Sequence, residues 1–284
     1  MLDTWSYSKL VEFEKCKFRT FLLHVKRVPE PPRELRPGQT EHANDRGSRI
    51  HDEAERFVRG DRSSLSQELR GFEPEFLRLR ELYRQGVVSL EGNWGYDEGW
   101  NPMPWKGEWR HYTPVGAETV EYRKVDTLPE YGRRNDRLWF DNHGWYWHPC
   151  WHRSKLDALV FPNEYEAVVI DYKTGKKYGN EIKHGEQVLL YSITTFERFP
   201  KLETVTTELW YPDVDELTSV TISREKAMRS KGQFTKRGFA LTTCTEWPAN
   251  PNVFTCRYCD YGKTGDCKVS AKQSIITGGN KWKR

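Results

Sequence analysis

The sequence predicts an α/β fold in which a mixed central sheet is flanked by helices, and three observations carry that prediction. Two apolar, β-branched runs, Lys155-Leu156-Asp157-Ala158-Leu159-Val160-Phe161 and Tyr165 to Lys176, are joined by the turn signal Pro162-Asn163-Glu164, which is the pattern of a β-hairpin. Two further strand-like runs, Thr206 to Tyr211 and Glu216 to Ile222, follow it. Apolar residues at helical spacing stand on both sides of the hairpin.

Taken in order, residues 6 to 25 read as one or two short helical segments with Leu10, Phe13, Phe18, Phe21 and Leu22 on the apolar face and Ser6 or Ser8 as the cap. Pro29-Glu30-Pro31-Pro32 ends them, and Arg33 to Asn44 reads as a polar loop. A helix is expected from about Ser48 to Val58, stopped by Gly60, with His51 in its first turn. Ser64 to Arg84 reads as a second helical region, interrupted near Gly71 to Pro74. After the hairpin, Ile182 to Phe199 reads as a helix that Pro200 terminates, and Arg224 to Arg237 as helical in part.

At 284 residues the chain has ample length for a buried core. Its 36% hydrophobic and 30% charged residues fit a globular protein with a polar surface. No apolar run approaches the roughly 18 residues of a spanning helix, and Met1 to Trp5 lack the blocks of a signal peptide, so no membrane contact and a cytoplasmic address are expected. A net charge of +4 does not by itself identify a nucleic-acid binder. From Asn252 to Arg284, seven Lys or Arg stand against two Asp, so that end is either a phosphate-contacting tail or a solubilising one. Eight of 12 tryptophans fall between Val87 and Trp151, where flat rings either fill a β-rich core or stack unpaired bases.

The chemistry sits in the hairpin. Asp157 and Asp171 are equidistant from Glu164, so antiparallel pairing sets them opposite each other, and Lys173, two residues on, shares the face of Asp171. Two carboxylates and one ammonium suit a hard divalent cation on a phosphate substrate; a surface hairpin with a solvated Asp-Lys pair fits the same spacing. Glu91 would add a third acid if the run Val87 to Leu90 is a sheet strand. His148, Cys150 and His152 alternate as a zinc site would require, but Pro149 interrupts them and no fourth ligand is evident.

Asp157, followed by Asp171-Tyr172-Lys173 and Thr174-Gly175-Lys176, resembles the PD-(D/E)xK nuclease superfamily in its RecB-like exonuclease branch. Gly47-Ser48-Arg49-Ile50-His51 is similar to that branch's histidine motif, and Gln187 with Tyr191 to its Q-x-x-x-Y motif. The resemblance implies a restriction-endonuclease-like core and a Mg2+- or Mn2+-dependent deoxyribonuclease, an exonuclease hydrolysing phosphodiester bonds. In it His51, Asp157 and Asp171 bind the metal, Lys173 positions the water, and Gln187 and Tyr191 contact substrate. One N-terminal cysteine, Cys16, with Cys256, Cys259 and Cys267 resembles the iron-sulfur staple of AddB-type helicase-nucleases and of the CRISPR-associated adaptation exonuclease. It implies a 4Fe-4S cluster tying the chain's ends together; Zn2+ would satisfy the same four thiolates, and Cys244 is the substitute ligand.

The expected layout is one nuclease domain over 1–284, with 1–46 and 240–284 forming a cluster-bearing cap, 47–239 the core, and a Trp-rich insertion around 92–150. No P-loop is present, so ATP-driven unwinding is not expected, and single-stranded DNA or duplex ends become the expected substrate. The stand-alone core would fit DNA recombination, repair or phage DNA metabolism, in the host cytoplasm if phage-encoded. Two other readings share these residues: a catalytically inactive nucleic-acid-binding protein on the same fold, and a zinc-stabilised interaction protein.

Overall fold

The computed structural model describes residues 2–31, 35, 39–103, 150–175 and 177–269, together with the backbone of 109–112, 121–124, 139–140 and 145–147. The helices are α1 (Tyr7–Lys15), α2 (Lys17–Thr20), α3 (Ala43–Arg59), α4 (Glu73–Arg84), α5 (Glu181–Arg198), α6 (Arg224–Thr242), α7 (Val253–Cys256) and α8 (Asp260–Thr264). The strands are β1 (Val88–Tyr96), β2 (Pro102–Met103), β3 (Trp109–Tyr112), β4 (Glu121–Lys124), β5 (Trp139–Phe140), β6 (Trp145–Trp147), β7 (His152–Asn163), β8 (Glu166–Tyr172), β9 (Thr204–Tyr211) and β10 (Glu216–Ser223). The chain divides into two compact units, Leu35–Thr235 and the paired terminal segments Met1–Glu34 with Lys236–Arg284.

In the larger unit a six-stranded sheet runs β10-β9-β8-β7-β1-β2. It is mixed, because β8 and β9 pair in parallel while the other neighbours are antiparallel. A parallel neighbour cannot follow from a tight turn, and α5 makes the crossover. The hairpin β7–β8 pairs Ala158 with Ile170 and Leu159 with Val169, the register that brings Asp157 beside Asp171. Alternation then sends Ala158, Val160, Ile170 and Tyr172 to one face, where they pack with Ile50, Phe57, Phe76 and Trp210 beneath α3 and α4. Against the other face α5 packs on β7, β9 and β10. A second sheet runs β4-β3-β6-β5.

Two helix boundaries depart from the sequence reading. α3 starts at Ala43, not near Ser48, so His51 lies in its third turn and not its first. The early turns carry no apolar stripe to reveal them; they are tied by ion pairs, with Arg46 held bidentately by Asp213 at 3.0 and 2.5 Å and by Glu68 at 2.8 Å. Near Gly71 to Pro74 the expected interruption is instead the entry to α4, with Pro74 in the first turn, where its missing N–H costs nothing. Of the eight tryptophans between Val87 and Trp151, Trp94, Trp100 and Trp151 are buried, and the Trp100 Nε1–H donates to Thr235 Oγ1 at 2.9 Å. The side chains of Trp105, Trp109, Trp139, Trp145 and Trp147 lie outside the described residues, as do His148, Pro149 and the tail from residue 270.

In the terminal unit, Ser6 caps α1 by accepting the Lys9 N–H. Cys16, extended at φ −161°, separates α1 from α2, and a π turn over Phe21–Val25 follows. Leu22, Cys259, Tyr261 and Cys267 form a small core with Phe18 and Phe21 against it. Among the described residues, no helix is long and apolar enough to cross a membrane.

Candidate active site

Three adjacent strands each contribute one carboxylate to a single open cavity. β1 pairs Leu90 with Ala158 and Gly92 with Leu156, which leaves Glu91 beside Asp157. Asp171 stands on the other side of Asp157 through the hairpin register. Glu91 does not follow the plain strand alternation, because its backbone is left-handed at φ 49°, a conformation that costs a non-glycine residue about 1–2 kcal/mol. Strain of that size persists where surrounding structure holds it, and here both flanking residues are locked in the ladder.

Asp157 is almost wholly buried and uses both oxygens. Oδ1 accepts from His51 Nδ1 at 2.9 Å, and Oδ2 from the Tyr172 backbone N–H at 2.7 Å. α3 can bring His51 this close because Gly47, one turn earlier, has no side chain: a Cβ there would stand 3.2 Å from Thr174 Oγ1. At the end of β8, Gly175 turns the chain at φ 112°, and its N–H donates to Asp213 Oδ2 at 2.8 Å.

A closed ring of bonds holds the other two groups. Lys173 Nζ pairs with Asp171 Oδ2 and donates to Gln187 Oε1 at 2.8 Å. An ammonium only donates, so the Gln187 oxygen must face it and the amide nitrogen must face away. That nitrogen donates to Tyr191 Oη at 2.7 Å, and the Tyr191 hydroxyl donates to Asp171 Oδ1 at 2.9 Å. Gln187 and Tyr191, one turn apart on α5, were expected to contact substrate. They do line the cavity, and their polar ends are engaged with Lys173 and Asp171.

Burial raises the Asp157 carboxyl above its usual range, the His51 bond works against that, and the charge of Asp171 adds to it. Glu91 is also raised by burial, partly offset by Lys155. For His51, burial disfavours the charged ring, but its bond to Asp157 and the charges of Asp157, Asp171 and Glu91 outweigh this and lift its pKa above 6.5. A site that holds carboxylates at such a cost to their ionised forms is suited to a cation. Ligand atoms of His51, Glu91 and Asp157 all lie within 4.8 Å of one another, and a set of carboxylate oxygens with one imidazole fits Mg2+ or Mn2+.

His51, Asp157, Asp171, Lys173, Gln187 and Tyr191 all line this cavity, together with Glu91, Glu55 and Lys155. The sequence reading gave Lys155 no role. Its signal was symmetry: Lys155 stands two residues before Asp157 as Lys173 stands two after Asp171, and alternation turns each toward its neighbouring acid.

In the terminal unit, Cys16, Cys256, Cys259 and Cys267 line one cavity with Phe18, Arg19 and Tyr261. Cys244 is outside it and donates to the Glu246 carbonyl at 2.9 Å. Backbone N–H groups of Gly262 and Tyr261 are directed at the Cys259 sulfur, and that of Asn250 lies 3.5 Å from Cys16 Sγ. Cys150 is buried beside Arg153 in the other unit.

Among solved structures, the crystal structure of SSO0001 is 12% identical with a TM-score of 0.42, covering 95% of this chain and 88% of its own. An alkaline exonuclease from Laribacter hongkongensis is 11% identical with a TM-score of 0.29, covering 85% and 87% respectively. No curated protein matches. The family model of the PD-(D/E)XK nuclease superfamily matches residues 4–264, a span that takes in the three carboxylates, the ring around Lys173 and three of the four cavity cysteines. This chain belongs to the PD-(D/E)XK nuclease superfamily.

Proposed function

We propose that this chain is a divalent-metal-dependent deoxyribonuclease of the RecB-like branch, an exonuclease acting on single-stranded DNA or duplex ends. The observation that carries the reading is the closed ring Lys173–Gln187–Tyr191–Asp171 beside the His51–Asp157 pair, which fixes one ammonium and two carboxylates in one cavity. His51, Asp157 and Asp171 hold the cation, Mg2+ or Mn2+. When bound, it supplies Lewis acidity toward a phosphate oxygen and toward water. Lys173, held at one end by Gln187, orients the attacking water and balances charge on the phosphate. Gln187 and Tyr191 act through Lys173 and Asp171 as positioning residues. A binding module that only grips phosphate has no use for two buried carboxylates, Asp157 and Asp171, with Glu91 beside them.

Cys16, Cys256, Cys259 and Cys267 hold a 4Fe-4S cluster in this reading, which staples the terminal segments and contributes to folding more than to catalysis. Four thiolates lining one cavity would also satisfy Zn2+, with Zn–S near 2.3 Å. Amide donors at the sulfurs suit either. Iron with acid-labile sulfide in anaerobically prepared protein supports the cluster, and zinc alone replaces it with a zinc staple. DNA recombination, repair or phage DNA metabolism is the setting this combination fits.

The deciding experiment follows end-labelled single- and double-stranded DNA with Mg2+ or Mn2+, for wild type beside Lys173→Ala. Release of nucleotides by wild type alone supports the reading, and the label position gives polarity. If neither protein cuts while both bind DNA, the fold serves as a binding scaffold and the proposal fails.

A further inference from the structure

The hairpin acids each have a basic partner from their own surroundings, His51 for Asp157 and Lys173 for Asp171. Glu91 has one too. Lys155 Nζ lies 2.5 Å from Glu91 Oε2, with the glutamate side chain 14% exposed and the lysine side chain 52% exposed. The lysine thus reaches in from the rim while the acid sits inside. Glu91's carboxylate also stands within 4.8 Å of the donor atoms of His51 and Asp157. Its left-handed backbone, between two residues locked to β7, sets that position. One carboxylate is therefore shared between a place where a cation fits and a half-exposed ammonium at the cavity mouth.

We infer that Glu91 is a third carboxylate ligand to the cation and that Lys155 is a phosphate-binding residue which the cation releases from Glu91. The inference rests on the nuclease reading of the cavity and extends it. With the cation absent, Lys155 neutralises Glu91. A divalent charge beside Glu91 repels the ammonium and competes for the carboxylate, and Lys155, on the rim with a flexible four-carbon stem, turns to the DNA backbone. Metal binding and DNA binding are then coupled through one side chain.

The two halves of the pair give opposite signs, and that separates this arrangement from a structural ion pair. Mn2+ affinity is measured by calorimetry for wild type, Glu91→Gln, Lys155→Met and Asp157→Asn. Binding of a fluorescein-labelled single strand is then followed in Ca2+ and in EDTA. Glu91→Gln is expected to weaken Mn2+ roughly tenfold or more, as loss of groups around a metal does. Glu91→Asp, which keeps the charge one methylene short, restores part of it. Lys155→Met is expected to leave Mn2+ binding unchanged or tighter, to weaken DNA binding in Ca2+ but not in EDTA, and to lower the salt slope by about 1.

If Glu91→Gln and Lys155→Met shift Mn2+ affinity alike, or neither shifts it, the pair is structural and the inference is overturned. If Asp157→Asn binds Mn2+ as wild type does, the metal-site reading itself falls. If Asp157→Asn loses binding and Glu91→Gln keeps it, only the role of Glu91 falls.

Discussion

Replacing Tyr191 by Phe removes one oxygen from the ring that holds Lys173 and Asp171, and the consequence can be worked out bond by bond. The hydroxyl accepts from Gln187 Nε2 at 2.7 Å and donates to Asp171 Oδ1 at 2.9 Å. The bond to Asp171 is shut away from water, because Tyr191 is 6% exposed and Asp171 4%, while Gln187 is half-buried. A neutral hydrogen bond contributes about 1 kcal/mol and one to a charged group about 1.5–3. With some relaxation, the loss is about 2–3 kcal/mol. For a unit of about 200 residues each kcal/mol is about 2–4 °C of Tm, so thermal unfolding should move down by roughly 4–12 °C. Chemistry should suffer more than binding, since Asp171 and Gln187 are freed to turn; a misplacement near 1 Å costs on the order of 10²-fold. The assay is kcat and KM for nucleotide release, beside a double-mutant cycle with Gln187→Leu. Because the two residues share a bond, the cycle should show coupling of about 1 kcal/mol. Tm within about 1 °C of wild type, additive single mutants and unchanged kcat would refute the ring as a positioning device.

Three other outcomes are expected. Gly47→Val places branched methyls where even a Cβ lies 3.2 Å from Thr174 Oγ1, so Thr174 or α3 must give way at a cost of about 1–3 kcal/mol; Thr174→Gly in the same chain should recover much of that in a melting curve. Glu12 is opposed by burial, yet His24 Nε2 at 2.9 Å and Arg19 hold its carboxyl below 4.5. A depressed carboxylate stabilises the fold above its unfolded pKa and loses that contribution as pH falls through the folded one. Glu12→Gln should therefore cost about 1 kcal/mol near neutrality, given partial exposure, and the gap to wild type in urea unfolding should close below about pH 4.5. Chelation of the divalent ion should abolish cleavage, lower Tm only by the linkage amount of about 3 kcal/mol or less, and leave near-UV circular dichroism intact.

Much of the site was legible because strands obey a period of two. Pro162-Asn163-Glu164 announced the hairpin, although Pro162 and Asn163 end β7 and the turn itself is Glu164-Tyr165; beyond a register shift between Val160 and Asn163, the pairing places Asp157 beside Asp171 and turns Lys173 toward them. α5 was legible for a similar reason, its apolar face ending against Pro200. The start of α3 was not, because ion pairs hold its first turns and leave no apolar pattern to read. Lys155 was missed because its partner, Glu91, lies 64 residues away on a strand whose pairing with β7 no local pattern announces. Glu91 itself was foreseen only on the condition that its run is a strand. Its left-handed backbone is a property of the assembled sheet, invisible in the run Val88-Ser89-Leu90-Glu91.

The expected tolerance to chelation follows from how the charges are matched. Carboxylates within 4.8 Å of each other, as Glu91 and Asp157 are, repel by about 3–4 kcal/mol at an effective dielectric near 20. Left unpaired, three such acids on adjacent strands would push β1, β7 and β8 apart. Each has a basic partner instead: His51 reaches down from α3 to Asp157, Lys173 closes back on Asp171, and Lys155 leans in from the rim to Glu91. Acids and bases come in pairs, so the repulsion among the carboxylates is offset before any ion arrives and the sheet can form without one. The same pairing keeps the site selective for a strong cation. A monovalent ion gains too little from Glu91 to displace an ammonium at 2.5 Å, whereas a divalent ion carries twice the charge and engages His51, Glu91 and Asp157 together.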